Sequence, residues 1–146
     1  MVLRLIDQKI SNYTFDDISV GLEKQFTVTI TESMVDAFAN ISGDYSPQHM
    51  DEKFAQSKDF KNRVCHGMLL GSLFSRLVGM YIPGKHGLYF SQTLDFVNPS
   101  IINDTVTVIG KVISKSEFTK LITLKTTIKN SFCNLVEGNA KVFLSK

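Results

Sequence analysis

The apolar positions of this chain change their period twice. Gln25 to Ile30 alternates polar and apolar, the pattern of a half-buried strand. From Thr31 the spacing lengthens. Met34, Val35, Phe38 and Ala39 fall on one face of a helix, with Thr31 as N-cap, Glu32 in the first turn and Gly43 to end it. Asp51 is placed to cap a short helix carrying Phe54 and Ala55, and Ser57 to Arg63 reads as a polar connection. Gly67 to Tyr81 predicts the second long helix. Its apolar residues leave only Arg76 and two serines polar, so it is expected to be buried and wrapped by other elements. Gly71, Ser75 and Gly79 form a stripe of small residues along it, which admits either the sheet or a ligand chain at close range.

After Pro83-Gly84 the two-residue period returns over Leu88–Val97, Asp104–Ser114, Leu121–Lys129 and Leu135–Leu144. Turn signals separate these runs at Asn98-Pro99, around Ser116-Glu117 and from Asn130 to Asn134. Short connections between successive strands favour antiparallel pairing. Residues 1–23 are mixed and read as extended segments and turns. The pattern predicts an α+β fold in which an antiparallel sheet curls round one apolar helix.

A chain of 146 residues with 43% hydrophobic and 21% charged positions fits a single soluble domain spanning residues 1–146. The net charge of +2 is uninformative, but residues 1–60 carry ten acidic and five basic side chains, and residues 61–146 four and eleven. The basic half lacks the Arg-rich runs of a nucleic-acid surface, so no nucleic-acid partner is expected. The excess reads as a solvated face, or as attraction for a phosphate-bearing carrier or an acidic protein. Cys65 and Cys133 suggest no disulfide framework. Cys65-His66 lacks the further ligands of a zinc site, and both thiols read as small buried hydrophobes. Met1 to Ile10 has no apolar h-region, and Met68 to Ile82 is too short and too interrupted to span a bilayer. No membrane association is expected, and the cytoplasm is the expected location.

Two features carry chemistry. Asp44 and His49 stand five residues apart between two helical patterns, in a segment that Gly43 and Pro47 keep from being regular. Such a pair could hold one water molecule between a base and an acid, although the spacing alone also fits a structural hydrogen-bonded pair. Gly67 opens the apolar helix, so its amide lies at the positive end of the helix dipole and can meet a carbonyl oxygen closely. Together these suit addition of water to a double bond conjugated to a thioester. His66 reads as a structural hydrogen bond at the head of that helix, and His86 as exposed. Lys85 and Arg63 read either as surface charges or as contacts to carrier phosphates.

The run Ile41-Ser42-Gly43-Asp44-Tyr45-Ser46-Pro47-Gln48-His49, followed by Phe54-Ala55, resembles the hydratase 2 motif of the MaoC-like (R)-specific enoyl-CoA hydratases. His66-Gly67-Met68-Leu69, the helix after it and Pro83-Gly84 also resemble this family, from about residue 20 to the end. The resemblance implies the hot-dog fold, a homodimer, and reversible syn hydration of trans-2-enoyl-CoA to (R)-3-hydroxyacyl-CoA in fatty-acid metabolism. It makes Asp44 and His49 the catalytic pair and the Gly67 amide the donor to the thioester oxygen. It places Ser75 and Val78 near the acyl pocket. It implies no metal or redox cofactor, coenzyme A being part of the substrate. Ser46 stands where the motif has asparagine and keeps a donor and an acceptor at shorter reach. Dehydration on an acyl carrier protein, and thioester binding without turnover, are the competing readings.

Overall fold

The computed structural model describes residues 9–145. The reading of Met1 to Ile10 falls mostly on residues 1–8 and to that extent lies outside the described residues. The elements follow in the order β1 (Glu23–Thr29), α1 (Glu32–Ser42), α2 (Pro47–Met50), α3 (Glu52–Ser57), α4 (Gly67–Arg76), β2 (Gly87–Gln92), β3 (Asp95–Phe96), β4 (Thr105–Ser116), β5 (Leu121–Lys129) and β6 (Asn134–Leu144). The strands form one antiparallel sheet in the order β1-β4-β5-β6-β2, with β3 also paired to β6. Register follows the hydrophobic alternation. Phe26, Val108, Ile128 and Val136 face one another across four strands, as do Val112, Leu124 and Ala140 across three. All are buried, and they make the inner face of the sheet.

Helix α4 lies in the same core through Leu69, Leu70, Leu73 and Phe74. It ends at Arg76, short of the expected Tyr81, and the chain continues in one π-helical turn, Leu77–Tyr81, closed by the Ile82 N–H donating to the Leu77 carbonyl at 2.9 Å. Leu77 seats against Gly110 of β4, where a Cβ would lie 2.8 Å from it. The helix is less enclosed than its composition predicts: Met68, Ser72, Ser75 and Gly79 are exposed. The small-residue stripe therefore does not face the sheet. Gly71 is covered by Leu94, with a Cβ there lying 3.0 Å from that side chain, while nothing lies within 4 Å of one at Gly79.

Other expectations need adjusting. The run Leu88–Val97 is two strands: β2 carries a bulge between Tyr89 and Ser91, and the pairing with β6 breaks at Thr93, whose backbone passes directly over Gly138. Cys133 is exposed in the β5–β6 turn, so only Cys65 is a buried thiol; both are free. No helix among the described residues is long and apolar enough to cross a membrane.

Candidate active site

Helix α1 is capped as the sequence predicts, the Thr31 hydroxyl accepting from the Met34 N–H at 3.2 Å. At its other end Gly43 takes φ 77°, a left-handed C-cap whose N–H donates to the Ala39 carbonyl at 2.8 Å. This reversal delivers Asp44. Its N–H donates to the Ser42 hydroxyl at 3.1 Å, and its Oδ1 accepts from the Ser46 N–H at 3.1 Å. The Tyr45 hydroxyl donates to Asn40 Oδ1 at 2.7 Å and holds the loop on α1. Pro47 then starts α2 at its first position, so His49 sits on a single helical turn and not in the irregular loop expected for it.

The segment Arg63–His66 lies along this loop and fixes it. The Arg63 Nε–H donates to the His49 carbonyl at 2.5 Å, and the Val64 N–H donates to the Gln48 carbonyl at 2.9 Å. The His49 ring reaches the Val64 carbonyl through Nδ1 at 2.7 Å. A carbonyl only accepts, so Nδ1 carries the proton and Nε2 holds the lone pair at the cleft, with the Gln48 amide nitrogen 3.4 Å from it as a long donor. That Nε2 stands 3.7 Å from Asp44 Oδ2, too far for a direct bond and suited to one water touching both. The histidine side chain is 8% exposed and the aspartate 50%, so water reaches the pair from the aspartate side.

Arg63 does not face carrier phosphates. It is buried, its guanidinium donating to Glu32 Oε1 at 2.9 Å and Asp36 Oδ1 at 2.5 Å, which braces the back of α2 against α1. His66 is also buried and donates through Nε2 to the Asp44 carbonyl at 3.0 Å. Its expected structural bond is present, and the carbonyl it reaches belongs to the candidate aspartate.

Gly67 follows immediately. As the first residue of α4 its N–H has no intrahelical acceptor. A Cβ at this position would lie 2.9 Å from the Phe96 ring, so the aromatic wall can close to this distance only over a glycine. Asp44, His49 and Gly67 line one cleft of ≈ 560 Å³. Its apolar wall comes from Phe38, Met68, Leu70, Phe96 and Val97. Ser75 and Val78 do not border it: Ser75 is exposed at the last turn of α4, and Val78 is buried in the core. The contribution of residues 96–100 to the cleft was missed from sequence, where Asn98-Pro99 reads only as a turn. The segment reaches the site through the Val64–Ile101 bridge and the bond from the Cys65 N–H to the Ser100 carbonyl at 2.8 Å.

Asp44, His49 and His66 place one donor atom each within 4.8 Å of one another. The His66 nitrogen that approaches Asp44 carries the proton it gives to the carbonyl, so it offers no lone pair there, and His49 Nε2 and the Asp44 carboxylate remain as the convergent donors. The Cys65 thiol also lines the cleft. Burial, and then the charge of Asp104, push it up to about 12, which keeps it from being a nucleophile. What converges is a proton acceptor, a carboxylate and a helix-terminal amide beside an apolar wall.

Comparison with known proteins gives the same picture. Residues 17–133 match the family model described as MaoC like domain. The (R)-specific enoyl-CoA hydratase of Rhodospirillum rubrum is 36% identical over 94% of this chain and 95% of its own. Among solved structures, the unliganded R-hydratase of Pseudomonas aeruginosa superposes with a TM-score of 0.88 at 31% identity, over 92% of this chain and 87% of that one. The (R)-hydratase of Aeromonas caviae superposes at 0.84 and 37% identity, over 87% and 97%. The sheet and its helix are thus the hot-dog fold.

Proposed function

We infer the reaction from the family: the chain belongs to the MaoC-like domain family, and it is a hydro-lyase that adds water to trans-2-enoyl-CoA to give (R)-3-hydroxyacyl-CoA, reversibly. Relatives named for this activity over most of their length support the reaction. The observation that carries it is the lone pair of His49 Nε2 held 3.7 Å from Asp44 Oδ2 in the cleft that Gly67 lines.

In this reading Asp44 and His49 share one water. Asp44 Oδ2 accepts one of its hydrogens and orients it, while His49 Nε2 takes the other as the water oxygen bonds to the β-carbon. The electron pair of the double bond moves toward the thioester oxygen, which the Gly67 amide stabilises at the N-terminus of α4. The proton on His49 then passes to the α-carbon from the same face, which is syn addition. Water is consumed whole and no redox partner is needed.

The acyl tail runs along Met68, Leu70, Phe96 and Val97 in this account. Ser75, exposed at the last turn of α4, and Val78, buried in the core, stand outside this wall and have no part in it. The finer proposals are an acyl-CoA of fatty-acid metabolism as substrate, residues 1–146 acting as one domain, a cytoplasmic location, and a homodimer formed through the β2 edge. Leu88 and Phe90, 66% and 69% exposed on that edge, support the last.

Asp44→Asn and His49→Ala test the site. Each is expected to lower kcat for hydration of crotonyl-CoA by about 10²–10⁴-fold with an unchanged circular dichroism spectrum. Wild-type rates in both variants would remove the site assignment.

A further inference from the structure

His66 takes no part in the reaction written above, yet its imidazole is buried in the cleft wall and closely held. Its side chain is 2% exposed. The ring stacks on His49 with centroids 3.9 Å apart and planes at 24°, and Phe38 lies against it at 4.9 Å. Nε2 donates to the Asp44 carbonyl at 3.0 Å, and that carbonyl has no other hydrogen-bond partner among the described residues. The same nitrogen is 4.0 Å from Asp44 Oδ2. Nδ1 is buried with no partner at all. An unmade bond of this kind lowers stability, so packing alone gives no reason for an imidazole here.

The opposite is true of Asp44. Its side chain is half exposed, and its carboxylate is held from within its own loop only by the Ser46 N–H. Its place relative to His49 is therefore set by its backbone, and His66 holds that backbone.

We propose that His66 is a positioning residue: by bonding the Asp44 carbonyl and stacking on His49 it fixes the gap between the Asp44 carboxylate and His49 Nε2, and so the place of the reacting water. This rests on the hydratase reading. A shift of about 1 Å in such a pair is enough to cost on the order of 10²-fold in rate. Substrate binding, which depends on the apolar wall and the Gly67 amide, is untouched.

Three variants separate this from a packing role. His66→Phe keeps the stacked ring and removes the donor. His66→Gln places an amide N–H where Nε2 stood, and His66→Ala removes both. With crotonyl-CoA, kcat is expected to fall at least about 10-fold in H66F and further in H66A, with KM within about 2-fold, and to return within about 3-fold of wild type in H66Q. Thermal midpoints of H66F and H66Q are expected to stay close to that of the wild type. A wild-type kcat in H66F, a loss in H66Q as deep as in H66F, or a change confined to KM would overturn the proposal. A second readout needs no variant and no turnover. In ring-¹⁵N-labelled wild type, His66 is expected as the Nε2-protonated tautomer and His49 as the Nδ1-protonated one. An Nδ1-protonated His66 would overturn the tether. Failure of the wild type to hydrate any enoyl-CoA would overturn the hydratase reading, with the spectrum still deciding the tether.

Discussion

Replacing Arg63 by alanine deletes the guanidinium that spans Glu32, Asp36 and the His49 carbonyl. Glu32 and Asp36 are 71% and 47% exposed and rehydrate, so no charge is stranded. The expected cost is about 2 kcal/mol, within the range of charged hydrogen bonds and well below that of a broken buried ion pair. Urea unfolding measures it, and a midpoint equal to wild type would contradict the brace. The thiols give a second test at this scale. Cys133 is expected to react at once with a thiol reagent at neutral pH and Cys65 only on unfolding; two fast equivalents would contradict the burial. Burial raises Cys65 from its ordinary 9.0, and Tyr89 from 10.0, to about 12 each. A folded-state pKa raised in this way contributes stability that is whole below pH 9 and lost progressively toward pH 12. Thermal midpoints are expected to fall across that window, less steeply in Cys65→Ala. That Asp44 and His49 share one loop, with Gly67 at the head of the apolar helix, was legible because each follows from its own neighbours in the chain. Arg63 was not, because its partners lie 27 and 31 residues upstream and its neighbours Lys61 and Asn62 are polar.

At the scale of elements, the local patterns that carry their own stop and start signals were the ones read well. Thr31, Gly43 and Asp51 cap the helices they were expected to cap, and β5 has the expected ends. Discrepancies arise where a distant element intervenes. The split of β2 from β3 falls where the Thr93 backbone passes over Gly138 of β6, 45 residues away in the chain. The one-turn helix at His49 had a local sign in Pro47, which favours a first helical position as well as breaking what precedes it. The core claim for α4 is tested by Phe74→Ala. Phe74 is fully buried, and its loss is expected to destabilise by about 3–5 kcal/mol. A cost under about 1 kcal/mol would place this helix outside the core.

For the whole molecule, the sheet closes on its inner face and leaves β2 as an edge with Leu88 and Phe90 outward. An unpaired edge that carries exposed apolar side chains is a template for another strand, and a second copy is the proposed occupant. Light scattering at micromolar concentration is expected to give the mass of a dimer, and Leu88→Lys with Phe90→Lys that of a monomer; a monomeric wild type contradicts the assembly. The central claim is the reaction itself. Its most direct measurement is the loss of enoyl-thioester absorbance when the protein is added to crotonyl-CoA, with the configuration of the product determined alongside. Rapid loss yielding the (R)-3-hydroxy thioester, and a loss at least about 10²-fold slower in Asp44→Asn, is the predicted result. No loss with the wild type, or the (S)-alcohol as product, would contradict the account.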